Sequence, residues 1–335
     1  MKSNASMSTF ARIRSNYTFK SKHVDDGPMK PSVHFLVGVA SSMSEYLSYD
    51  GIKTWYKTLA DQQPDLVQYS TIGKTHQGHD MFAIHVGNGT EGVTYLQGLV
   101  HAREWATGPI LAHIVDNIVD SWASSRSLSK MKVVVVPVAN PDGYEYSRTV
   151  DKLWRKNRAP GKGGIGVDLN RNFPARWSEA TDGLFPPSEN YRGQAVASEL
   201  EVQAIMRHLR PMPVKAALDF HGYGKRILYP SARKNPSIKS KRVGEEMASR
   251  IKTTGNPFSA MPISSFTPAT GSLVEWAHTQ KGALSYGIEV PPGLSEQPNV
   301  TIGFFPDPSI LQSQAKDLMP AIHHLVASSS QKYQV

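Results

Sequence analysis

A histidine and a glutamate lie three residues apart in the segment 98–105, which reads Gly-Leu-Val-His-Ala-Arg-Glu-Trp. An imidazole nitrogen of His101 and a carboxylate oxygen of Glu104 at this spacing can bind one divalent ion, for which zinc is the first candidate. The pair follows the apolar run 93–100, which predicts a buried strand. Ligands of α/β sheets collect outside the carboxyl ends of strands, so the position suits a metal site. Taken alone, the pair is also compatible with a polar turn that leaves a strand.

Two further apolar runs end in polar residues. The run 214–220 is followed by His221, and the run 283–288 is followed by Glu289. His221 and the first pair together supply two imidazoles and a carboxylate, which make a zinc centre with a fourth position open for water. Zinc lowers the pKa of such a water to about 7, and Glu289 is then free to accept its proton as general base.

The elements that must position these side chains follow from the spacing of apolar residues. Strands alternate with helices along the chain. We therefore expect a single α/β domain with a mixed, mostly parallel, doubly wound sheet and helices on both faces. Helices are expected at 51–60, 110–122, 198–209, 237–253, 271–280 and 310–326, and strands at 67–72, 81–86, 93–100, 133–138, 214–220 and 283–288.

Local signals refine this outline. Asp50 and Ser198 are expected to cap helices, and residues 140–143 have the composition of a turn. Residues 144–197 are rich in glycine and proline and have little periodicity, so we expect them to form an irregular wall of the site. His113 lies within a core helix and is more typical of a surface or packing residue than of a metal ligand.

The first 45 residues have no clear period and are expected to form a poorly ordered arm or the remnant of a leader. Residues 2–22 are polar throughout, so Met1 does not open a signal peptide. From Met29 a basic residue is followed by a short apolar run and then by small residues. This is the order found in secretion signals, and it leads to the hypothesis of a cryptic signal that begins at Met29. N-terminal sequencing of the mature protein tests this hypothesis, because an intact Met1 contradicts it. The folded domain is expected at 46–330.

Composition limits the ligands and partners. The 335 residues include no cysteine, so a metal must be bound by histidine or carboxylate side chains. The formal charge of +9 comes without a nucleic-acid-binding motif, and nucleic acid is not expected as a partner. No stretch approaches the roughly 20 apolar residues of a membrane span. A cationic site that attracts carboxylate-bearing substrates accounts for part of the charge.

Six short motifs occur in one order along residues 46–326. They are His-Ala-Arg-Glu-Trp at 101–105, Asn-Pro-Asp-Gly-Tyr at 140–144, Leu-Trp-Arg-Lys at 153–156, Asp-Leu-Asn-Arg-Asn-Phe at 168–173, Asp-Phe-His-Gly-Tyr at 219–223 and Gly-Ile-Glu-Val at 287–290. In this order the chain resembles the zinc metallocarboxypeptidases of the pancreatic carboxypeptidase A type. The resemblance implies a catalytic domain at 46–330 that uses one zinc ion to release C-terminal residues from peptides and proteins.

The resemblance also implies a role for each matched residue. His101, Glu104 and His221 would bind zinc, Glu289 would be the general base, and Arg155 would stabilise the charge that develops on the scissile carbonyl. The implied substrate contacts are Asn170 and Arg171 at the terminal carboxylate, Arg103 and Tyr223 in the outer subsites, Thr267 beside the carboxylate and Val274 in the pocket for the last side chain. A guanidinium that requires a terminal carboxylate confines cleavage to the last peptide bond.

Two positions depart from the family pattern. Thr267 stands where relatives usually have a mobile tyrosine that closes over the terminal carboxylate, and this predicts a raised KM with a smaller effect on kcat. Residues 290–292, Val-Pro-Pro, follow the predicted base where many relatives have a charged turn.

Specificity depends on the pocket residue. Val274 matches the position that carries an acid in basic-specific relatives, so apolar or aromatic C-terminal residues are expected. A shift of one residue in the alignment would place Glu275 there instead and reverse this preference.

Other activities remain open at this stage. One alternative is a relative that hydrolyses special amide bonds, such as those of glutamyl tails or cell-wall peptides. Another is a non-catalytic peptide-binding module on the same scaffold. The resemblance further implies an extracellular, monomeric protein that binds neither nucleic acid nor membranes.

Overall fold

The structure is a computed structural model that describes residues 45–231, 237–253, 255–267, 270–292 and 303–330. All of these residues belong to one compact unit. The predicted N-terminal arm, with the cryptic signal from Met29, lies outside the described residues.

An eight-stranded mixed sheet forms the centre of the domain, with the strand order β1-β2-β4-β3-β5-β8-β6-β7. Strands β4, β3, β5 and β8 run parallel to one another, whereas β1 and β2 at one edge and the β8–β6 pair are antiparallel. The strands are β1 Val67–Lys74, β2 Asp80–Val86, β3 Val93–Gln97, β4 Lys132–Val136, β5 Val214–Gly222, β6 Arg226–Tyr229, β7 Ser259–Pro262 and β8 Leu284–Val290.

Helices cover both faces of the sheet, as the alternating pattern predicted. The side chains of strand β4 show why both faces of the sheet are covered. Val133 and Val135 are buried in one apolar cluster and Val134 and Val136 in the other, so every side chain in this run has a core to enter. The fold class expected from the sequence is confirmed. The helices are α1 Tyr49–Gln62, α2 Thr107–Ser121, α3 Pro141–Thr149, α4 Leu200–Leu209, α5 Ile238–Arg250, α6 Leu273–Lys281 and α7 Leu311–Ser330.

The helix starts differ in detail from the expected ones. Ser48, not Asp50, caps α1 through a hydrogen bond from the Gly51 amide to its hydroxyl. Asp50 lies in the first turn and pairs with Lys53. The N-cap of α4 is Glu199 rather than Ser198. Glu199 makes no capping hydrogen bond with its side chain, so of these two helices only α1 has a side-chain cap of the kind expected.

Residues 140–143 begin a helix instead of forming only a turn. The Asn140 side chain accepts a hydrogen bond from the Gly143 amide, and Pro141 occupies the first helical position, where its missing N–H costs nothing. The residue types Asn, Pro, Asp and Gly are typical both of a turn and of the start of a helix, so the sequence does not distinguish the two. Helix α3 therefore shortens the segment that was expected to be irregular, although residues 150–168 remain largely so.

Strands β6 and β7 were not predicted. Each has four residues, and β6 lies directly after the turn that follows β5. Among the described residues, no helix is both long and apolar enough to cross a membrane. His113 is buried in α2, in agreement with a packing role.

Candidate active site

The residues predicted at strand ends, His101, Glu104, His221 and Glu289, lie together at the carboxyl ends of the inner strands of the sheet. β3 and β8 flank β5 in parallel, so their carboxyl ends lie together. His221 in β5 is the register partner of Glu289 in β8. The turn after β3 brings His101 to the same place, with its ring centroid 4.9 Å from that of His221. The strand order therefore assembles the cluster from segments distant in sequence.

His101, Glu104 and His221 point ligand atoms at one another. Nδ1 of His101 lies 2.8 Å from Glu104 Oε1, and Nδ1 of His221 lies 3.2 Å from His101 Nδ1 and 3.1 Å from Glu104 Oε2. Ligands of a tetrahedral zinc ion, with bonds of about 2.0–2.1 Å, are separated by roughly 3.3 Å. All three side chains are buried. The donor set and its spacing therefore fit a single zinc ion.

Two buried aspartates face the outer nitrogens of these imidazoles. Asp168 Oδ1 lies 3.2 Å from His101 Nε2, and Asp219 Oδ2 lies 2.9 Å from His221 Nε2. A proton held on His101 Nε2 by Asp168 leaves the Nδ1 lone pair of that ring directed inward, as metal binding requires, whereas Asp219 places a negative charge beside the outer nitrogen of His221. The sequence analysis gave neither aspartate a role. For Asp219 a signal was present, because it lies two residues before His221 in the same strand and thus on the same face.

The charges of the cluster shift its proton affinities. Burial alone would raise the pKa of Glu104, but the facing His101 and His221 outweigh burial and lower it below the usual range. For His221, burial lowers the pKa, and Asp219 and Glu104 overcome that effect and raise it. The site therefore favours a charged carboxylate between the two imidazoles.

Glu289 is buried beside this cluster. Burial raises the pKa of its carboxyl to about 8, against the opposing effect of His221. A carboxyl with a raised pKa holds a proton more readily than an exposed one, as a general acid–base residue must.

Arg155 connects the cluster to Asp168. Its Nε and Nη2 donate to Asp168 Oδ2 at 3.1 and 2.9 Å, and its Nη1 lies 3.8 Å from Glu104 Oε1. Asp168 thus orients both this guanidinium and the ring of His101. The guanidinium is held by two bonds on one side, while its third nitrogen faces the metal-ligand cluster.

Asn170 and Arg171 are also buried, next to the cluster. The Asn170 amide nitrogen lies 3.1 Å from His221 Nε2, and its oxygen accepts the Leu273 amide. Arg171 donates from Nη1 to the Asn170 carbonyl at 3.0 Å and from Nη2 to the Thr267 hydroxyl at 2.8 Å. Its Nε is buried without a hydrogen-bond partner among the described residues. A buried guanidinium with a spare donor is suited to an anion.

Val274 lies in α6 within a small apolar cluster with Leu228 and Ile263. The adjacent Glu275 is engaged elsewhere, since its Oε1 accepts the Ser231 amide at 2.7 Å and its own amide donates to the Ser272 hydroxyl. The helix thus directs the two neighbours to different surroundings.

Arg103 and Tyr223 meet around Phe304. The Tyr223 ring packs edge-on against Phe304 with centroids 5.2 Å apart, and the Arg103 guanidinium lies 5.1 Å from the same ring. Arg103 also forms two hydrogen bonds with the exposed Glu189, at 3.0 and 3.1 Å. Both residues therefore belong to one aromatic and cationic surface.

Comparisons with known proteins agree with this geometry. The family described as zinc carboxypeptidase matches residues 52–321. Carboxypeptidase B of Bos taurus is 29% identical over 85% of this chain and 71% of its own length. A metallocarboxypeptidase A-like protein of Trichophyton verrucosum is 31% identical over 73% of this chain and 63% of its own length. Relatives named as A and B types thus match to similar extents, and the A type expected from the sequence is not singled out.

A solved structure shows the same fold. The crystal structure of carboxypeptidase A from Helicoverpa armigera superposes with a TM-score of 0.79 at 26% identity, covering 86% of this chain and 75% of that one. The chain thus spans 63–75% of the length of the proteins named here. The matched family region includes every residue of the predicted site, and the chain belongs to the zinc carboxypeptidase family.

Proposed function

We propose that this protein is a zinc-dependent exopeptidase of the carboxypeptidase A type. In this proposal it hydrolyses the last peptide bond of peptides and proteins and releases apolar or aromatic residues. The observation that carries the proposal is the buried cluster of His101, Glu104 and His221 with Glu289 beside it. Residues 46–330 form the catalytic domain.

The metal would be held by Nδ1 of His101, Nδ1 of His221 and the Glu104 carboxylate. Zinc supplies a Lewis acid that polarises a carbonyl and lowers the pKa of water. Asp168 keeps His101 in the tautomer that presents Nδ1, and the charge of Asp219 lies beside Nε2 of His221.

Glu289 acts as the general base. Its carboxylate takes a proton from the attacking water and transfers it to the nitrogen of the leaving residue, so the two steps use one group. Burial raises its pKa to about 8, which makes the carboxylate a stronger proton acceptor than an exposed glutamate.

Arg155 stabilises the negative charge that develops on the scissile carbonyl oxygen. Its two hydrogen bonds to Asp168 fix the guanidinium before substrate binds, so little reorganisation is needed in the transition state. In the site, Nη1 faces the Glu104 side, where the reacting bond would lie.

Arg171 recognises the free carboxylate of the substrate. The spare Nε donor and the buried charge support this role, and Asn170 adds its amide nitrogen. Binding of the terminal carboxylate places only the last peptide bond at the metal-ligand cluster, which makes the enzyme an exopeptidase.

The preference for an apolar last residue rests on Val274 and its neighbours Leu228 and Ile263. Glu275 directs Oε1 to the Ser231 amide, away from the cluster of Val274, and this supports Val274 rather than Glu275 as the pocket residue. Arg103 and Tyr223 would contact the residues before the scissile bond. Action outside the cell and a monomeric state remain predictions from the family resemblance.

The test is release of free amino acid from blocked dipeptides that end in Phe, Leu, Lys, Arg or Glu. We expect release of Phe and Leu that a chelator abolishes and that Glu289→Gln reduces by roughly 100-fold or more, since general base catalysis contributes about 10²–10⁴. Release of Lys or Arg would be consistent with the proposed mechanism but would refute the apolar pocket. If no peptide is hydrolysed and the peptides still bind, the protein is a binding module.

A further inference from the structure

A second group of metal-ligating side chains shares no residue with the predicted zinc centre. His76, Glu199 and Glu201 each offer one ligand atom, and these atoms lie within 4.8 Å of one another. His76 lies in the turn between β1 and β2, and the two glutamates lie at the start of α4. His76 Nε2 is 3.3 Å from Glu199 Oε2, close to the roughly 3.3 Å between two ligands of a tetrahedral zinc ion.

Both glutamates are buried, and Glu199 Oε1 accepts a hydrogen bond from the Ser198 hydroxyl at 2.7 Å. Glu199 is 4% exposed and Glu201 is 0% exposed, and both accept from the single amide nitrogen of Asn157, at 2.7 and 3.2 Å. Glu201 Oε1 is buried and has no hydrogen-bond partner among the described residues. The carboxylate of Glu201 thus shares one donor with Glu199 through Oε2 and has a second buried oxygen without a partner among the described residues.

The turn that carries His76 is held in place by contacts with the side chain of Asp142. Asp142 accepts hydrogen bonds from the Thr75 hydroxyl at 2.5 Å and from the Gln77 amide at 2.9 Å, and its Oδ1 lies 2.7 Å from His79 Nδ1. These contacts hold the residues on both sides of His76. Its side chain is 24% exposed, so an ion can reach the cluster from solvent.

We infer that His76, Glu199 and Glu201 bind a second divalent cation of the zinc type. One imidazole and two carboxylates are ligands that zinc accepts, and the Glu201 carboxylate has capacity for a further partner. The ion joins the turn after β1 to the start of α4. It has no part in the proposed hydrolysis, so this inference does not rest on the proposed function.

The experiment compares the zinc content of the full chain with that of His76→Ala. Each protein is equilibrated with buffered zinc and separated from free metal, and bound zinc per chain is measured by mass spectrometry. The wild type is expected to hold one equivalent more than His76→Ala, and competition with a chelator should show at least a ~10-fold loss of affinity at this site. The difference between the two proteins is the readout, so occupancy of the first centre does not affect it.

His324→Ala is the matched control. His324 Nε2 also pairs with a glutamate, Glu246, at 2.7 Å, but belongs to no three-residue cluster among the described residues. It should keep the wild-type zinc content, which separates the site from adventitious binding to surface histidines.

Glu201→Gln is the second variant, since it keeps the shape of the side chain and removes its charge. It should lose the same equivalent as His76→Ala, and circular dichroism would show whether each variant is folded. An unchanged zinc content in folded His76→Ala or in folded Glu201→Gln would overturn the inference. If His76→Ala fails to fold, the zinc content of folded Glu201→Gln tests the inference.

Discussion

Arg171 Nη2 donates a hydrogen bond to the Thr267 hydroxyl at 2.8 Å, so the guanidinium proposed to bind the terminal carboxylate already contacts the residue predicted to stand in place of a mobile tyrosine. A threonine hydroxyl lies close to its own backbone and cannot extend over a bound substrate as a phenol can. It holds one Arg171 donor in place and leaves the buried Nε for an anion.

Thr267→Tyr should therefore strengthen substrate binding. A phenol that closes over the terminal carboxylate adds a hydrogen bond, and we expect KM for a blocked dipeptide ending in Phe to fall roughly 10-fold, or about 1.4 kcal/mol, while kcat changes little. Steady-state kinetics measures both constants. Thr267→Val is the control, since it removes the hydroxyl without adding reach and should not lower KM. An unchanged KM in Thr267→Tyr would contradict the role given to this position.

Arg171→Lys tests the recognition of the terminal carboxylate. Lysine keeps the charge but loses the planar fork, so kcat/KM for a peptide acid should fall about 10- to 100-fold, the range for one to two charged hydrogen bonds. The wild type should strongly prefer a peptide acid over its C-terminal amide, and the variant should show a smaller preference. The ratio of kcat/KM for acid and amide is the measurement. An unchanged ratio would mean that another group binds the carboxylate.

Asp168→Asn tests the carboxylate shared by Arg155 and His101. The amide cannot hold the His101 tautomer and the guanidinium together, so zinc affinity should fall about 10- to 100-fold. Competition with a chromophoric chelator measures this affinity directly. Asp219→Asn is the matched variant at the other imidazole and should weaken zinc binding without disturbing Arg155. Wild-type zinc affinity in both variants would show that these carboxylates do not affect zinc binding by His101 and His221.

The sequence indicated the candidate metal cluster because its residues follow predominantly apolar runs. Such runs predict buried parallel strands, and the carboxyl ends of parallel strands meet, as His221 and Glu289 do in register. The general fold followed from the same alternation of strands and helices.

Other features could not be derived in this way. Whether Asp168 faces His101 depends on a loop whose path has no periodic signal. Strands β6 and β7 are too short to stand out from turns, and residues 140–143 carry signals for both a turn and a helix start. His76 joins Glu199 only through tertiary packing of α4 on β1, so no spacing in the sequence indicates that pair.

Val274→Asp should move the preference of the enzyme from apolar toward basic C-terminal residues. A carboxylate in the apolar cluster with Leu228 and Ile263 is costly to bury unless a substrate cation pairs with it. We expect kcat/KM for Phe to fall and the ratio of Arg to Phe release to rise at least ~10-fold. Val274→Asn, of similar shape and without charge, should lower Phe release without raising Arg release. Equal ratios in the two variants would place the side-chain pocket elsewhere.

Asp116→Asn should stabilise the protein near pH 8 and have less effect in acid. Burial, helped by the neighbouring Asp120, raises the pKa of Asp116 from its usual 3.8 to about 6. Between those values the unfolded chain releases the proton first, so the stability of the wild type falls as the pH rises through this window, and the full penalty remains above it. Because the side chain is partly exposed, the gain near pH 8 should be about 1 kcal/mol.

Urea unfolding of wild type and Asp116→Asn measures this difference at about pH 8 and about pH 4.5. The exposed Asp65 provides the control, since Asp65→Asn removes the same charge at the surface and should leave the midpoint nearly unchanged at both pH values. The sign of the pH dependence is the critical point: if Asp116 were stabilised as a charged group, its replacement would cost most near pH 8. A loss of stability there would show that a cation compensates Asp116 in the folded protein.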